Sequence, residues 1–227
     1  MSITPLARWK NYYVSNLIPV LKIFSHIPPE THPTEALQFL EKNKVPYKKT
    51  AYQFFAQLGI HNKSDTIFFN IHRYLLKLDE DGVQKYLQFW AHVYYTPNPF
   101  VKVTNDRTMP PLTLFEAIVS ELLSQPPNQE PFVEIDFEVF FDNYFGGKNE
   151  DILFNVITQH LQPLKTIEKN KKKYIQLHLS HIPIMNQKLV TLKKVFPIPI
   201  KHDDRFVFFQ RFSEENYITF NLIQENL

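Results

Sequence analysis

Glu134, Asp136 and Glu138 alternate along Phe132–Val139, a segment whose other members, Val133, Ile135, Phe137 and Val139, are apolar. On a strand that alternation sends three carboxylates to one face and the apolar set to the other. Three carboxylates on one face are the hard oxygen ligands that Mg²⁺ takes for phosphoryl transfer. The competing reading is a half-buried strand with a charged solvent face, and it is preferred. A nuclease of the Asp…(Asp/Glu)-x-Lys type needs an acid two residues before a lysine, and that tripeptide occurs nowhere in the chain.

Other routes to catalysis find less. His178 and His181 are three apart with His160 upstream, and His26 and His32 flank Pro28-Pro29. There is no cysteine and no H-E-x-x-H to make either set a zinc site. No G-x-S-x-G elbow, G-x-G-x-x-G or G-x-x-x-x-G-K-[ST] is present, and four glycines leave little room for a phosphate-cradling loop. The expectation is a protein without enzymatic activity, cofactor or metal.

Charge is the more informative feature. The net charge of +2 conceals blocks: residues 1–110 carry +5, residues 111–151 carry −8, residues 152–211 carry +8, and the remainder carries −3. The basic block centres on Lys165, Lys169, Lys171, Lys172 and Lys173, with Lys193 and Lys194 further on. A hairpin tip built from these residues would neutralise phosphates along a nucleic-acid backbone. These seven lysines are the candidate nucleic-acid-binding residues, set against the alternative of a solvated turn that protects a sheet edge. The acidic block opposes base reading. In a helix-turn-helix the start of the third helix meets base edges, and here that start is Asn149-Glu150-Asp151, where carboxylates favour the helix dipole and repel phosphate.

The elements that must position these residues follow from pattern. The chain has 227 residues, is 44% hydrophobic and 15% aromatic, and contains 17 prolines that mark breaks. The division expected is an N-terminal helical segment (1–29), a first unit (30–109), a second unit (110–182) and a β-rich C-terminal extension (183–227). In the first unit Thr34 caps a helix from Glu35 to Asn43, and a second helix starts at Tyr47 or Lys48 and stops at Gly59. Ser64 or Asp65 caps a third helix, and Asp79-Glu80-Asp81-Gly82 reads as a turn before Val83–Val93, which fits helix or strand. In the second unit Leu112–Leu123 is an amphipathic helix, and Phe132–Val139 a strand. A helix over Phe140–Tyr144 and another capped by Asn149 follow, then a hairpin joining Leu164–Ile167 to Tyr174–Leu179. Lys188–Phe196 and Phe206–Phe212 read as strands, with Ser213 opening a final helix or strand.

This makes the fold class α+β and helix-rich: two winged-helix-like units in tandem followed by a C-terminal β extension. At the level of layout it resembles the kleisin-interacting tandem winged-helix subunits of chromosome-organising ATPase complexes. The function expected is a non-catalytic subunit of a larger protein assembly that contacts nucleic acid through its basic C-terminal half. The alternatives are a DNA-binding regulator or recognition module of a mobile-element or defence system, and a metal-dependent enzyme using Glu134, Asp136 and Glu138. Paired aromatics such as Phe140-Phe141 and Tyr94-Tyr95 are mostly core material, with some facing outward as a partner surface. No run of apolar residues is long enough to span a membrane, and the absence of cysteine suits a reducing, cytoplasmic setting.

Overall fold

A computed structural model describes residues 14–28, 31–59, 70–96, 111–126, 131–144, 150–198 and 210–226. The protein is mixed helix and sheet, and helix-rich. Its contacts divide it into two units, with the boundary inside one helix, between Phe89 and Trp90.

The first unit is helical among the described residues. It comprises α1 (Val14–Phe24), α2 (Pro33–Lys42), α3 (Lys48–Gln57), α4 (Asn70–Leu75) and the part of α5 (Glu80–Val93) up to Phe89. The last helix of the chain, α10 (Glu214–Glu225), belongs to this unit as well. α2 begins two residues earlier than Thr34 would set it, because His32 caps it by accepting from the Thr34 N–H and Pro33 supplies a preformed first residue. α3 ends where expected, and Gly59 follows it at φ +76°. The Asp79–Gly82 segment is a helix start rather than a turn. Asp79 Oδ1 accepts from the Gly82 N–H at 2.8 Å, so Glu80 and Asp81 form the first turn of α5, where their charge suits the dipole. Val83–Val93 is therefore helix, and the described residues of this unit hold no hairpin. The expected cap of the third helix, at Ser64 or Asp65, lies outside the described residues.

Aromatic rings hold α10 in this unit. Phe89 sits 5.8 Å from Tyr217 and 5.4 Å from Phe220 between ring centroids, Tyr86 sits 5.6 Å from Tyr217, and all four are buried. The Tyr86 hydroxyl donates to the Leu58 carbonyl at 2.5 Å, fixing the end of α3 against α5. Phe212 lies against Gly59 so closely that a Cβ there would stand 2.5 Å from the Phe212 Cβ.

The main stretch of the second unit runs from Trp90 to Arg205. Its elements are β1 (Tyr95–Thr96), β2 (Leu112–Thr113), α6 (Leu114–Ser124), β3 (Phe132–Asp136), α7 (Phe137–Tyr144) and α8 (Glu150–His160). After these come β4 (Lys165–Lys169), β5 (Lys172–His178), a single 3₁₀ turn (Leu179–His181) and α9 (Ile182–Val195). β1 and β2 pair antiparallel, and β3, β5 and β4 form a three-stranded antiparallel sheet with β5 in the middle. Thr113 caps α6 by accepting from the Glu116 N–H at 3.0 Å. Val133, Ile135, Ile175 and Leu177 from the sheet, Phe137, Phe140 and Phe141 from α7, and Ile157 from α8 are buried together with Ile118 and Leu122 of α6.

The region expected to be β-rich is helical where it is described. The expected strand Lys188–Phe196 is the C-terminal part of α9: the buried positions Met185, Leu189, Leu192 and Phe196 recur at helical spacing, and Pro183 sits in the first turn. Residues 206–209 of the second expected strand lie outside the described residues, and Ser213 opens a helix. The aromatic pairs Phe140-Phe141 and Tyr94-Tyr95 are core material, as expected: the first lies on a helix and the second at a helix-to-strand junction, and all four residues are buried. No helix among the described residues is long and apolar enough to cross a membrane.

Two outcomes follow from this packing. Gly59→Ala combines a left-handed backbone with a collision against Phe212, and is expected to cost at least about 1 kcal/mol in denaturant unfolding. Lys188 on α9 is only 6% exposed, its ammonium lies 5.4 Å from the Phe115 ring centroid, and burial lowers its pKa to about 8. Between pH 8 and the ordinary lysine value the unfolded chain holds a proton that the folded chain has released, so stability rises with pH across that window. Unfolding at pH 7.5 and 10 should show a gain of at most about 3 kcal/mol, absent in Lys188→Met.

Candidate nucleic-acid interface

The β4–β5 hairpin forms where the lysine-rich segment predicts it. Asn170 and Lys171 make its two-residue tip, with φ of 52° and 64°, and Lys169 pairs with Lys172 across it. Positive φ at both central residues is the type I′ geometry that matches the twist of the flanking strands, and asparagine tolerates it well.

The seven candidate lysines do not form one surface. Period-two alternation splits the hairpin set between the two faces of the sheet. Lys169 points to the side of Glu134, and its Nζ is 2.7 Å from Glu134 Oε1. Lys172 is on the same side, 4.0 Å from Asp136 Oδ2. Lys173 faces the other way, with its ammonium 5.6 Å from the Phe154 ring centroid on α8. Lys171 is exposed at the tip. Lys165, at the opposite end of β4, is also exposed. On α9, Lys193 Nζ is 2.6 Å from Glu116 Oε1 of α6, while Lys194 is exposed. Lys165, Lys171 and Lys194 form no ion pair with another described residue.

The acidic block thus meets the basic block inside the unit. Glu134 Oε1 also accepts from Gln176 Nε2 at 2.7 Å, so one carboxylate of β3 ties down a residue on each of the two other strands. Each pair is partly exposed and contributes little alone, about 0 to 1 kcal/mol. Their larger effect is on the field, since three of the seven cations are answered locally. α8 starts at Glu150, which leaves Glu150 and Asp151 in its first turn, as expected from sequence.

The carboxylate trio does not assemble. The strand stops at Asp136, whose Oδ1 accepts from the N–H groups of Glu138 at 3.0 Å and Val139 at 3.2 Å. Asp136 is therefore the cap that turns strand into helix, and Glu138 is carried away on α7, exposed. The expected strand to Val139 is shortened for the same reason. Glu134 and Asp136 are engaged with lysines and backbone, and among the described residues no group of three or more His, Asp or Glu side chains is arranged to hold a metal ion. His160 is buried at the end of α8, and desolvation lowers its pKa to about 4.

Sequence reasoning missed the partners of the lysines, although the signal was present. Acids alternating on one strand and lysines alternating on the next but one are complementary once β5 is placed between β3 and β4. It also missed the burial of Lys188, for which a lysine at a core position of the 185, 189, 192 series is the sequence sign.

No known protein family, curated protein or solved structure matches this chain.

If Asp136 works as a cap, Asp136→Ala should lower the stability of the second unit by about 1 kcal/mol and Asp136→Asn by much less. Mg²⁺ should leave the melting temperature of the unaltered protein unchanged, as measured by thermal unfolding with and without the ion.

Proposed function

We propose that the protein is a non-catalytic, cytoplasmic subunit of a larger protein assembly, and that its second unit is a winged-helix unit touching nucleic acid through backbone phosphates. The succession α6, β3, α7, α8, β4, β5, with β5 central in the sheet, supports the winged-helix reading of that unit. The tandem form is not carried forward, because the first unit has α5 where a hairpin would be needed. The function rests on this topology by analogy alone.

The observation that carries the reading is the closure of Lys169, Lys172 and Lys193 onto Glu134, Asp136 and Glu116. A protein that finds a DNA sequence by its wing and third helix needs free cations at the wing and an uncharged or basic helix start. Here the wing is largely neutralised and the third helix opens with two acids. Besides Lys173, which is held over the Phe154 ring, what remains is Lys165, Lys171 and Lys194, without an ion pair among the described residues, and this set suits weak and sequence-independent phosphate contact.

The salt dependence of binding to a duplex of arbitrary sequence tests this. Contact through Lys165, Lys171 and Lys194 alone gives a slope of log K against log salt near −3, whereas all seven candidate lysines would give about −6. Lys171→Glu should reduce the slope by about 1, and replacing both Glu134 and Asp136 by their amides should steepen it by about 2. Affinity capture with nuclease treatment supplies the second arm. Defined protein partners that persist after nuclease support the assembly subunit. A slope near −6 with strong preference for one sequence would replace the proposal with a DNA-binding regulator.

A further inference from the structure

The second unit carries a concavity of about 610 Å³, inside the range of roughly 300 to 1,000 Å³ typical of small-molecule sites. It opens at the end of the sheet away from the hairpin tip, where β4 begins and β5 ends. Phe132, Leu164 and Ile167 give it apolar walls, and Lys165, His178 and His181 are its ionisable residues. No aspartate or glutamate lines it. Glu134 stands in the same row of the sheet as Gln176 and Lys165, but its carboxylate is outside the lining and is taken up by Lys169 and Gln176.

The polar groups are arranged for an anion. Lys165 is exposed and forms no ion pair with a described residue. His178 is held in place by the turn that follows it: the Ser180 N–H donates to His178 Nδ1 at 3.2 Å, with Ser180 Oγ 2.7 Å from the same nitrogen. Because a backbone N–H donates to Nδ1, that nitrogen carries the lone pair and the ring proton resides on Nε2, as a donor. The ring is braced edge-on against Phe132, with centroids 5.0 Å apart at 88°. A fixed N–H donor and an ammonium without an ion pair among the described residues thus flank an aromatic wall.

We propose that this concavity binds a small amphipathic anion, with a planar apolar body against Phe132, Leu164 and Ile167 and its one carboxylate or phosphate group held by Lys165 Nζ and His178 Nε2–H. Hydrogen bonds between a cation and an oxyanion are the strong class, and the apolar walls supply affinity that a bare inorganic ion would not gain. The site shares Lys165 with the phosphate contact proposed above, and a titration with small anions in the absence of nucleic acid lets either reading fail without the other.

Calorimetric titration of the full chain with 2-naphthoate, 2-naphthyl phosphate and the neutral 2-naphthalenemethanol tests it. At least one anion should bind saturably, and the alcohol about tenfold more weakly or worse. The order of the two anions distinguishes a carboxylate ligand from a phosphorylated one. Lys165→Glu should weaken the anion at least about tenfold and Lys165→Arg by no more than about threefold. His178→Asn keeps an acceptor for the Ser180 N–H while deleting Nε2–H, so it should weaken the anion about tenfold with an unchanged melting temperature. Equal binding of the alcohol and the anions would overturn the proposal. So would unaltered affinity in Lys165→Glu, or no saturable heat from either anion up to about 10 mM.

Discussion

Glu134 is the point on which the second unit's surface depends. Its carboxylate accepts from Lys169 on β4 and Gln176 on β5, so one side chain of β3 reaches both of the other strands. An edge strand that reaches across its neighbour in this way helps to fix the register of the whole sheet, because a slip by one residue would turn Glu134 into the apolar core and expose Val133 or Ile135. Asp136, two residues on, uses the same face differently. It ends the strand and opens α7, which brings Phe137, Phe140 and Phe141 down onto the core. Two acids that resemble a metal site in one dimension are, in three, a clamp and a cap.

The same interaction governs how the charge is to be understood. Opposite blocks adjacent in a sequence invite the idea of separate surfaces for separate partners. Here the blocks meet across one small sheet and one helix pair, α6 with α9, where Lys169, Lys172 and Lys193 pair with Glu134, Asp136 and Glu116. The residual cations lie apart, at the tip, at the start of β4 and on α9. A dispersed set of this kind suits contact with a polyanion whose charges are regularly spaced better than recognition of any single feature.

Much of the second unit was legible because its signals are local. Thr113 and Glu116 mark a helix start within four residues, and the lysine-rich turn with Asn170 marks a hairpin within six. The helix after Gly146-Gly147 was placed correctly by its apolar spacing. The failures come from signals that need the tertiary partner to be known. Asp136 satisfies the strand pattern and the capping pattern equally well, and only the packing of Phe137 decides between them. Val190 and Val195 favour a strand by type, while the burial of Met185, Leu189 and Leu192 against α6 imposes a helix. The pairing of Lys169 with Glu134 spans 35 residues, which no window along the chain contains. In the first unit, nothing near Phe212 or Tyr217 announces that they complete a core begun more than a hundred residues earlier.

That last feature has a consequence for how the protein is made. The first unit is discontinuous: its aromatic centre takes Tyr86 and Phe89 from one end of the chain and Tyr217 and Phe220 from the other, with the second unit inserted between. On a ribosome adding roughly 5 to 20 residues each second, the helices α1 to α5 emerge well before α10. For that interval their apolar faces wait without the helix that covers them, while most of the inserted unit, Trp90 to Arg205, is one continuous stretch of chain. The aromatic centre of the first unit therefore closes only once α10 has been made, and the cost of a discontinuous core is this interval of uncovered apolar surface on the nascent chain.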